Sequence, residues 1–162
     1  MLKHLSTEIG RLLKKKNKTL AVAESCTGGL VSSCITTVPG SSGYFLGGVV
    51  AYSNRIKTSQ LGVPLSVLNR YGAVSPETAE ALARGARKKL KSDYGLAITG
   101  IAGPSGGSQK KPVGLVYIAL TYGHEAEVKK FIFSGNREKI RGLAAQNSLI
   151  LLQKSLLSNP RS

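Results

Sequence analysis

Three segments of this chain combine chemistry-bearing side chains with bends: Glu24-Ser25-Cys26-Thr27-Gly28-Gly29, Tyr52-Ser53-Asn54 and Thr99-Gly100-Ile101-Ala102-Gly103-Pro104. Each follows an apolar run that reads as a strand, and ligands of open α/β sheets bind beyond the carboxyl ends of strands. The first and third are rich in glycine. Glycine turns expose backbone N–H groups, and a helix start adds a positive dipole, so together they suit a phosphate or an oxyanion. One glycine turn is more often structural punctuation; several at equivalent strand ends favour the chemical reading.

A fourth segment, Gly40-Ser41-Ser42-Gly43, reads either as a plain turn or as a serine nucleophile on a flexible connection. A serine hydroxyl needs a base. Neither histidine stands in a motif: His4 falls in the first helix and His124 in a hairpin turn, and both read as surface residues. Lysine is the remaining base, and serine–lysine pairs are a variant of the triad logic. Lys57 is the best placed, in the first turn of the helix after the strand that runs to Tyr52. It must be neutral to act, and burial and surrounding positive charge both lower a lysine pKa. Tyr52 could relay a proton or donate to an oxyanion. The bland alternative makes Lys57 an ordinary helix-surface lysine. Cys26 is a rival nucleophile, because a helix start lowers a thiol pKa; lacking a histidine partner, it ranks below serine.

The elements that must position these residues follow from periodicity. Leu2, Leu5, Ile9, Leu12 and Leu13 have helical spacing. Residues 18–24 form a short strand, and a helix opens at Thr27-Gly28-Gly29 and runs to about Thr37. Residues 45–52 form a second strand. Asn54 can cap a helix that Gly62 terminates. Residues 64–71 make one or two helical turns. Ser75 is an N-cap with Pro76 at the first helical position, and the helix buries Ala79, Leu82, Ala83, Ala86 and Leu90. Residues 94–101 read as a buried strand, and 103–112 as a polar, glycine-rich loop. Strands at 113–122 and 127–133 join in a hairpin at Tyr122-Gly123-His124. Asn136 caps a long final helix. This order implies a mixed sheet with helices on both faces, in one domain over residues 1–162, with disorder expected after Leu157.

Composition sets the bounds. The 162 residues are 41% hydrophobic, enough for a core without disulfides or metal. Cys26 and Cys34 have no zinc-like spacing and read as reduced thiols. The first sixteen residues lack the unbroken apolar stretch of a secretory signal, and no run approaches a membrane span, so the expected place is the cytoplasm without membrane contact. The 23 basic residues against 8 acidic give +15. They are spread over Lys14–Lys18, Arg84–Lys91, Lys110 and Lys111, Lys129 and Lys130, and Arg137–Arg141, without interleaved aromatics. A solvated basic surface is therefore weighted above nucleic-acid binding.

The segments AESCTGG (23–29), PGSSGYF (39–45), AYSNRIK (51–57), GAVS (72–75), TGIAGPSGG (99–107), KPVG (111–114) and SGNR (134–137) together resemble the CinA C-terminal family. The resemblance runs from about residue 5 to residue 155, with the motifs in the family's order. It implies a three-layer α/β/α fold with a mixed, mostly parallel five-stranded sheet. It also implies a stand-alone amidohydrolase that needs no cofactor or metal. Such an enzyme converts nicotinamide mononucleotide and water to nicotinate mononucleotide and ammonia, in pyridine nucleotide salvage, as a homodimer. Carried over by motif, Ser42 is the nucleophile, Lys57 its base and Tyr52 an accessory catalytic residue. Ser25 and Thr99 fall to the substrate pocket and Arg137 to the phosphate, and the glycine-rich turns add Thr27, Gly28 and Gly100 to the expected binding residues. The chain departs from the family at Gly107-Ser108-Gln109-Lys110-Lys111-Pro112, where acidic residues are usual, so this loop lacks the carboxylates of its relatives.

Two rival readings stand beside the enzyme. One is a nucleic-acid-binding or competence-related module without amidase activity, suggested by the charge and by the family's association with competence. The other is an inactive nucleotide-binding regulator that uses the same pocket.

Overall fold

The computed structural model describes residues 1–158. Its elements are α1 (Leu2–Lys16), β1 (Leu20–Glu24), α2 (Leu30–Thr36), a single 3-10 turn (Ser41–Gly43), β2 (Phe45–Val50), α3 (Asn54–Leu61), α4 (Leu65–Tyr71), α5 (Pro76–Leu90), β3 (Tyr94–Gly100), β4 (Leu115–Tyr122), β5 (Glu125–Ile132) and α6 (Arg137–Ser158). The five strands form one sheet in the order β2-β1-β3-β4-β5. β1 pairs parallel with β2 and β3, while β3–β4 and β4–β5 are antiparallel. β4 alone opposes the other strands, so the mixed, mostly parallel sheet is as expected.

Strand side chains alternate between faces, and here the two faces differ in size. Leu20, Val22, Leu96, Ile98, Val116, Ile118 and Leu120 pack with residues of α1, α2 and α6. Ala21, Ala23, Ala97 and Ala119 pack with Leu61, Leu68, Ala79, Leu82, Ala83 and Ala86 of α3, α4 and α5. Large residues fill one layer, and small ones let α5 lie close in the other. This is the three-layer arrangement.

Local signals set most boundaries. Ser75 Oγ accepts from Thr78 N at 3.1 Å, with Pro76 at the first helical position. Gly62 ends α3 in the left-handed conformation. Asn136 Oδ1 accepts from Lys139 N at 2.9 Å and starts α6. Two expectations shift. Ser53, not Asn54, caps α3, its Oγ accepting from Ile56 N. The helix expected from Thr27 begins only at Leu30, because turns occupy 26–29. The tail expected to be disordered starts with Ser158, which is still helical; residues 159–162 lie outside the described residues. No helix among the described residues is long and apolar enough to cross a membrane.

Candidate active site

β1, β2 and β3 are parallel and adjacent, so their carboxyl ends open on the same edge of the sheet. A cavity of about 280 Å³ lies there. Ser25 and Cys26 enter it from the end of β1, and Thr99 and Gly100 from the end of β3. Tyr52, Asn54 and Lys57 come from the β2–α3 connection and the first turn of α3; Ala73 and Val74 follow α4. Residues 101–106 cover one side, and Arg137 enters from the start of α6.

Lys57 is the buried charge-bearing group of this cavity, at 1% exposure. Its Nζ donates to Ser25 Oγ at 3.2 Å and to the Tyr52 carbonyl at 3.3 Å. No carboxylate among the described residues lies within ion-pair distance of it. Burial therefore acts on an uncompensated cation and pulls its pKa below 10.5. A hydroxyl and an amine biased toward neutrality thus stand in hydrogen-bond contact.

The sequence-derived pairing of Ser42 with Lys57 does not form within the chain. Ser42 is exposed, in the 3-10 turn just before β2, whereas Lys57 follows the other end of that strand. The six residues of β2 separate the two ends by roughly 17 Å. Gly40 of the same segment lies near Lys14, at the end of α1 that leads into β1. The hydroxyl that meets Lys57 belongs to Ser25, which the sequence reading gave to substrate binding.

Thr27 and Gly28 do not line the cavity. Thr27 is fully buried, and Gly28 N donates to the Ser25 carbonyl at 3.1 Å. The start of α2 is not an open anion site either. The buried Glu24 carboxylate accepts from Gly29 N at 3.0 Å, Val31 N at 3.1 Å, Ser32 N at 2.8 Å and Ser32 Oγ at 2.7 Å. It already supplies the negative charge and acceptors that a helix start attracts. Gly29 makes the approach possible by turning at φ 97, a conformation that disfavours a side chain. Glu24 was absent from the residues chosen from sequence, although an acid just before a glycine turn is the available signal.

Cys26 behaves opposite to the expectation of a lowered pKa. Burial outweighs its favourable contacts and pushes the thiol up to about 12. Tyr52 and Arg137 are joined: Arg137 Nη2 donates to Tyr52 Oη at 2.9 Å, and Nη1 donates to the Gly103 carbonyl at 2.7 Å. A guanidinium carries five N–H donors, so three remain free to meet a ligand. Thr99 Oγ1 donates to the Ala73 carbonyl at 2.7 Å and ties the floor of the cavity to the turn before α5. Gly100 is required by packing, since a β-carbon there would stand 2.7 Å from Val116 Cγ2. Among the described residues no group of three or more His, Cys, Asp or Glu is arranged to hold a metal ion.

Residues 2–156 match the CinA C-terminal domain. A putative competence-damage inducible protein of Halothermothrix orenii is 53% identical over 154 residues, covering 94% of this chain and 37% of the relative. A CinA-like protein of Desulfotalea psychrophila is 52% identical over 155 residues, covering 96% and 38%. The chain thus spans just over a third of the length of these curated relatives. Among solved structures, a competence/damage inducible protein of Agrobacterium tumefaciens superposes with TM-score 0.93 at 35% identity, covering 96% of this chain and 95% of that one. A CinA superfamily protein of Klebsiella pneumoniae gives TM-score 0.94 at 28% identity, covering 98% and 99%. The motifs, the fold and the match over nearly the whole chain agree, and the chain belongs to the CinA C-terminal domain family.

Proposed function

We propose that this chain is a serine–lysine amidohydrolase that removes the carboxamide nitrogen of nicotinamide mononucleotide, with Ser25 as nucleophile and Lys57 as base. The observation that carries the reading is the 3.2 Å contact between Lys57 Nζ and Ser25 Oγ, inside a cavity where burial favours the neutral amine.

In this mechanism neutral Lys57 takes the Ser25 hydroxyl proton as Oγ bonds to the carboxamide carbon. The tetrahedral oxyanion needs N–H donors. That of Cys26, which directly follows the nucleophile and lines the cavity, is the donor available there. One well-placed donor of this kind contributes about 3 kcal/mol to the transition state. The ammonium of Lys57 returns its proton to the departing nitrogen, and ammonia leaves an acyl ester on Ser25. Water, deprotonated by Lys57, attacks that ester; the same proton then restores the Ser25 hydroxyl, and the carboxylate is released.

Arg137 supports the choice of a phosphorylated substrate. Its guanidinium is oriented by Tyr52 Oη and the Gly103 carbonyl, with donors to spare for a planar fork onto phosphate oxygens. Anchoring the phosphate holds the amide near Ser25, an advantage that a substrate without phosphate lacks. The test is ammonia release from nicotinamide mononucleotide, comparing wild type with Lys57→Ala. The reading expects loss of at least a hundredfold in kcat; an equal rate overturns it.

A further inference from the structure

The edge of the sheet opposite the pocket gathers charge that the sequence disperses. α1 leads into β1 and α5 leads toward β3, and β1 and β3 are parallel neighbours, so both helices end on that edge. The last turn of α1 carries Lys14, Lys15 and Lys16; that of α5 carries Arg87, Lys88 and Lys89. With Lys18 and Lys91, residues 14–18 and 87–93 hold eight cations against one carboxylate, Asp93; the start of β5 at the same edge adds Glu125 and Glu127, of which Glu127 pairs with Lys129 at 3.0 Å. Asp93 is the clasp that joins them. It accepts from Thr19 N at 2.9 Å and Thr19 Oγ1 at 2.8 Å, and it pairs with Lys18 at 3.5 Å.

Complementing the helix dipoles explains cations in the last turns. It does not account for Lys91 beyond them; Lys18 pairs with Asp93, and Arg84, one turn earlier, pairs with Glu80 at 2.8 Å. Repulsion among clustered cations opposes folding. Arg84, Arg87, Lys88, Lys91 and Ser92 also line a cleft of about 380 Å³. Arg87 is held there by a bond from Nη1 to the Gly123 carbonyl. Lys14, Lys15, Lys88, Lys89 and Lys91 are exposed.

We propose that this basic pole docks the phosphate backbone of nucleic acid, independently of the pocket at the other end of the sheet. Charge complementarity selects a polyanion. The cationic segments 14–19 and 84–92 expose no large apolar side chain of their own, and the exposed Leu46 at the start of β2 is too small an apolar patch to anchor in a bilayer, which favours nucleic acid over an anionic membrane.

The test is binding of the full chain to a random 20-base-pair duplex across a salt series. Lys14, Lys15, Lys88 and Lys91, all replaced by Gln, form the pole variant. Lys3, Lys129, Lys130 and Lys154, also replaced by Gln, form a control with the same loss of net charge. Each lysine–phosphate contact contributes about −0.9 to the slope of log affinity against log salt. The proposal expects the pole variant, with four lysines removed, to flatten that slope by up to about 3.6 and lose at least tenfold in affinity. The control changes the slope by less than about 1. Thermal melting of both variants verifies their folding. Equal losses in the two variants, no duplex binding by the wild type, or binding to anionic vesicles but not to the duplex each overturn the proposal.

Discussion

Lys57 Nζ reaches Ser25 Oγ at 3.2 Å because neighbouring parallel strands end side by side. Ser25 terminates β1, and Lys57 stands in the first turn of the helix that leaves β2. The helix cap on Ser53 fixes that turn. Strand register thus sets the distance between the proposed nucleophile and its proposed base.

The buried amine makes activity and stability rise together with pH, because both favour its neutral form. Burial lowers the pKa of Lys57 below 10.5. The base works when neutral, so kcat/KM rises with pH through this lowered pKa and then levels. Between that pKa and 10.5 the unfolded chain holds a proton that the folded chain lacks. Folding stability therefore increases with pH across the window and flattens above it. Lys57→Met should abolish this slope, melt higher than wild type at pH 7 and release no ammonia. Melting curves from pH 6 to 10.5 measure it; a Lys57→Met protein with the wild-type slope contradicts it.

Cys26 lines the cavity but carries a thiol pushed by burial up to about 12. It should stay protonated and unreactive at pH 8. Iodoacetamide treatment of the native protein, followed by mass spectrometry, should leave Cys26 unmodified. Cys26→Ser should retain activity within about threefold of wild type, a difference under 1 kcal/mol. Rapid alkylation of Cys26 that tracks loss of activity would restore it as the nucleophile.

Arg137 and Tyr52 are proposed to act on the phosphate end of the substrate. A charge-assisted bond contributes about 1.5–3 kcal/mol, so Arg137→Lys should raise KM for nicotinamide mononucleotide about tenfold or more. With nicotinamide riboside, which lacks the phosphate, the same substitution should leave kcat/KM nearly unchanged. Equal losses on both substrates would assign Arg137 a structural role instead.

Glu24 tests the support beneath the nucleophile. Its carboxylate accepts four hydrogen bonds at the start of α2. An amide in its place cannot accept all four, and leaving a buried donor unpaired costs about 2 kcal/mol. Glu24→Gln should lower the melting midpoint by about 4–8 °C. An unchanged midpoint would show that the turn holds itself.

The fold was largely legible because short apolar strand runs bounded by turns, and capped helices as at Ser75-Pro76 and Asn136, announce themselves locally. The cavity was legible as strand ends through Ser25, Tyr52, Thr99 and Gly100, with Lys57 in the helix turn that follows; Arg137, expected only from the resemblance, lines it too. The resemblance assigns Ser42 to Lys57, but a motif carries no distance, and the structure holds the two apart. Ser42 precedes β2 and Lys57 follows it, and a strand holds its two ends apart. Thr27 and Gly28 failed differently. Their loop has the composition of an anion site, but the Glu24 side chain folds back five to eight residues along the chain to occupy it. The two basic stretches at 14–18 and 84–91 come together only through the adjacency of β1 and β3.

The most direct measurement is ammonia release from nicotinamide mononucleotide by Ser25→Ala beside Ser42→Ala, with mass spectrometry of the acid-quenched wild-type enzyme. Ser25→Ala should lose at least a thousandfold, Ser42→Ala should stay within about twofold, and any trapped nicotinoyl group should map to Ser25. Full activity in Ser25→Ala, or an acyl group on Ser42, would contradict the assignment of Ser25 and Lys57 as the reacting pair.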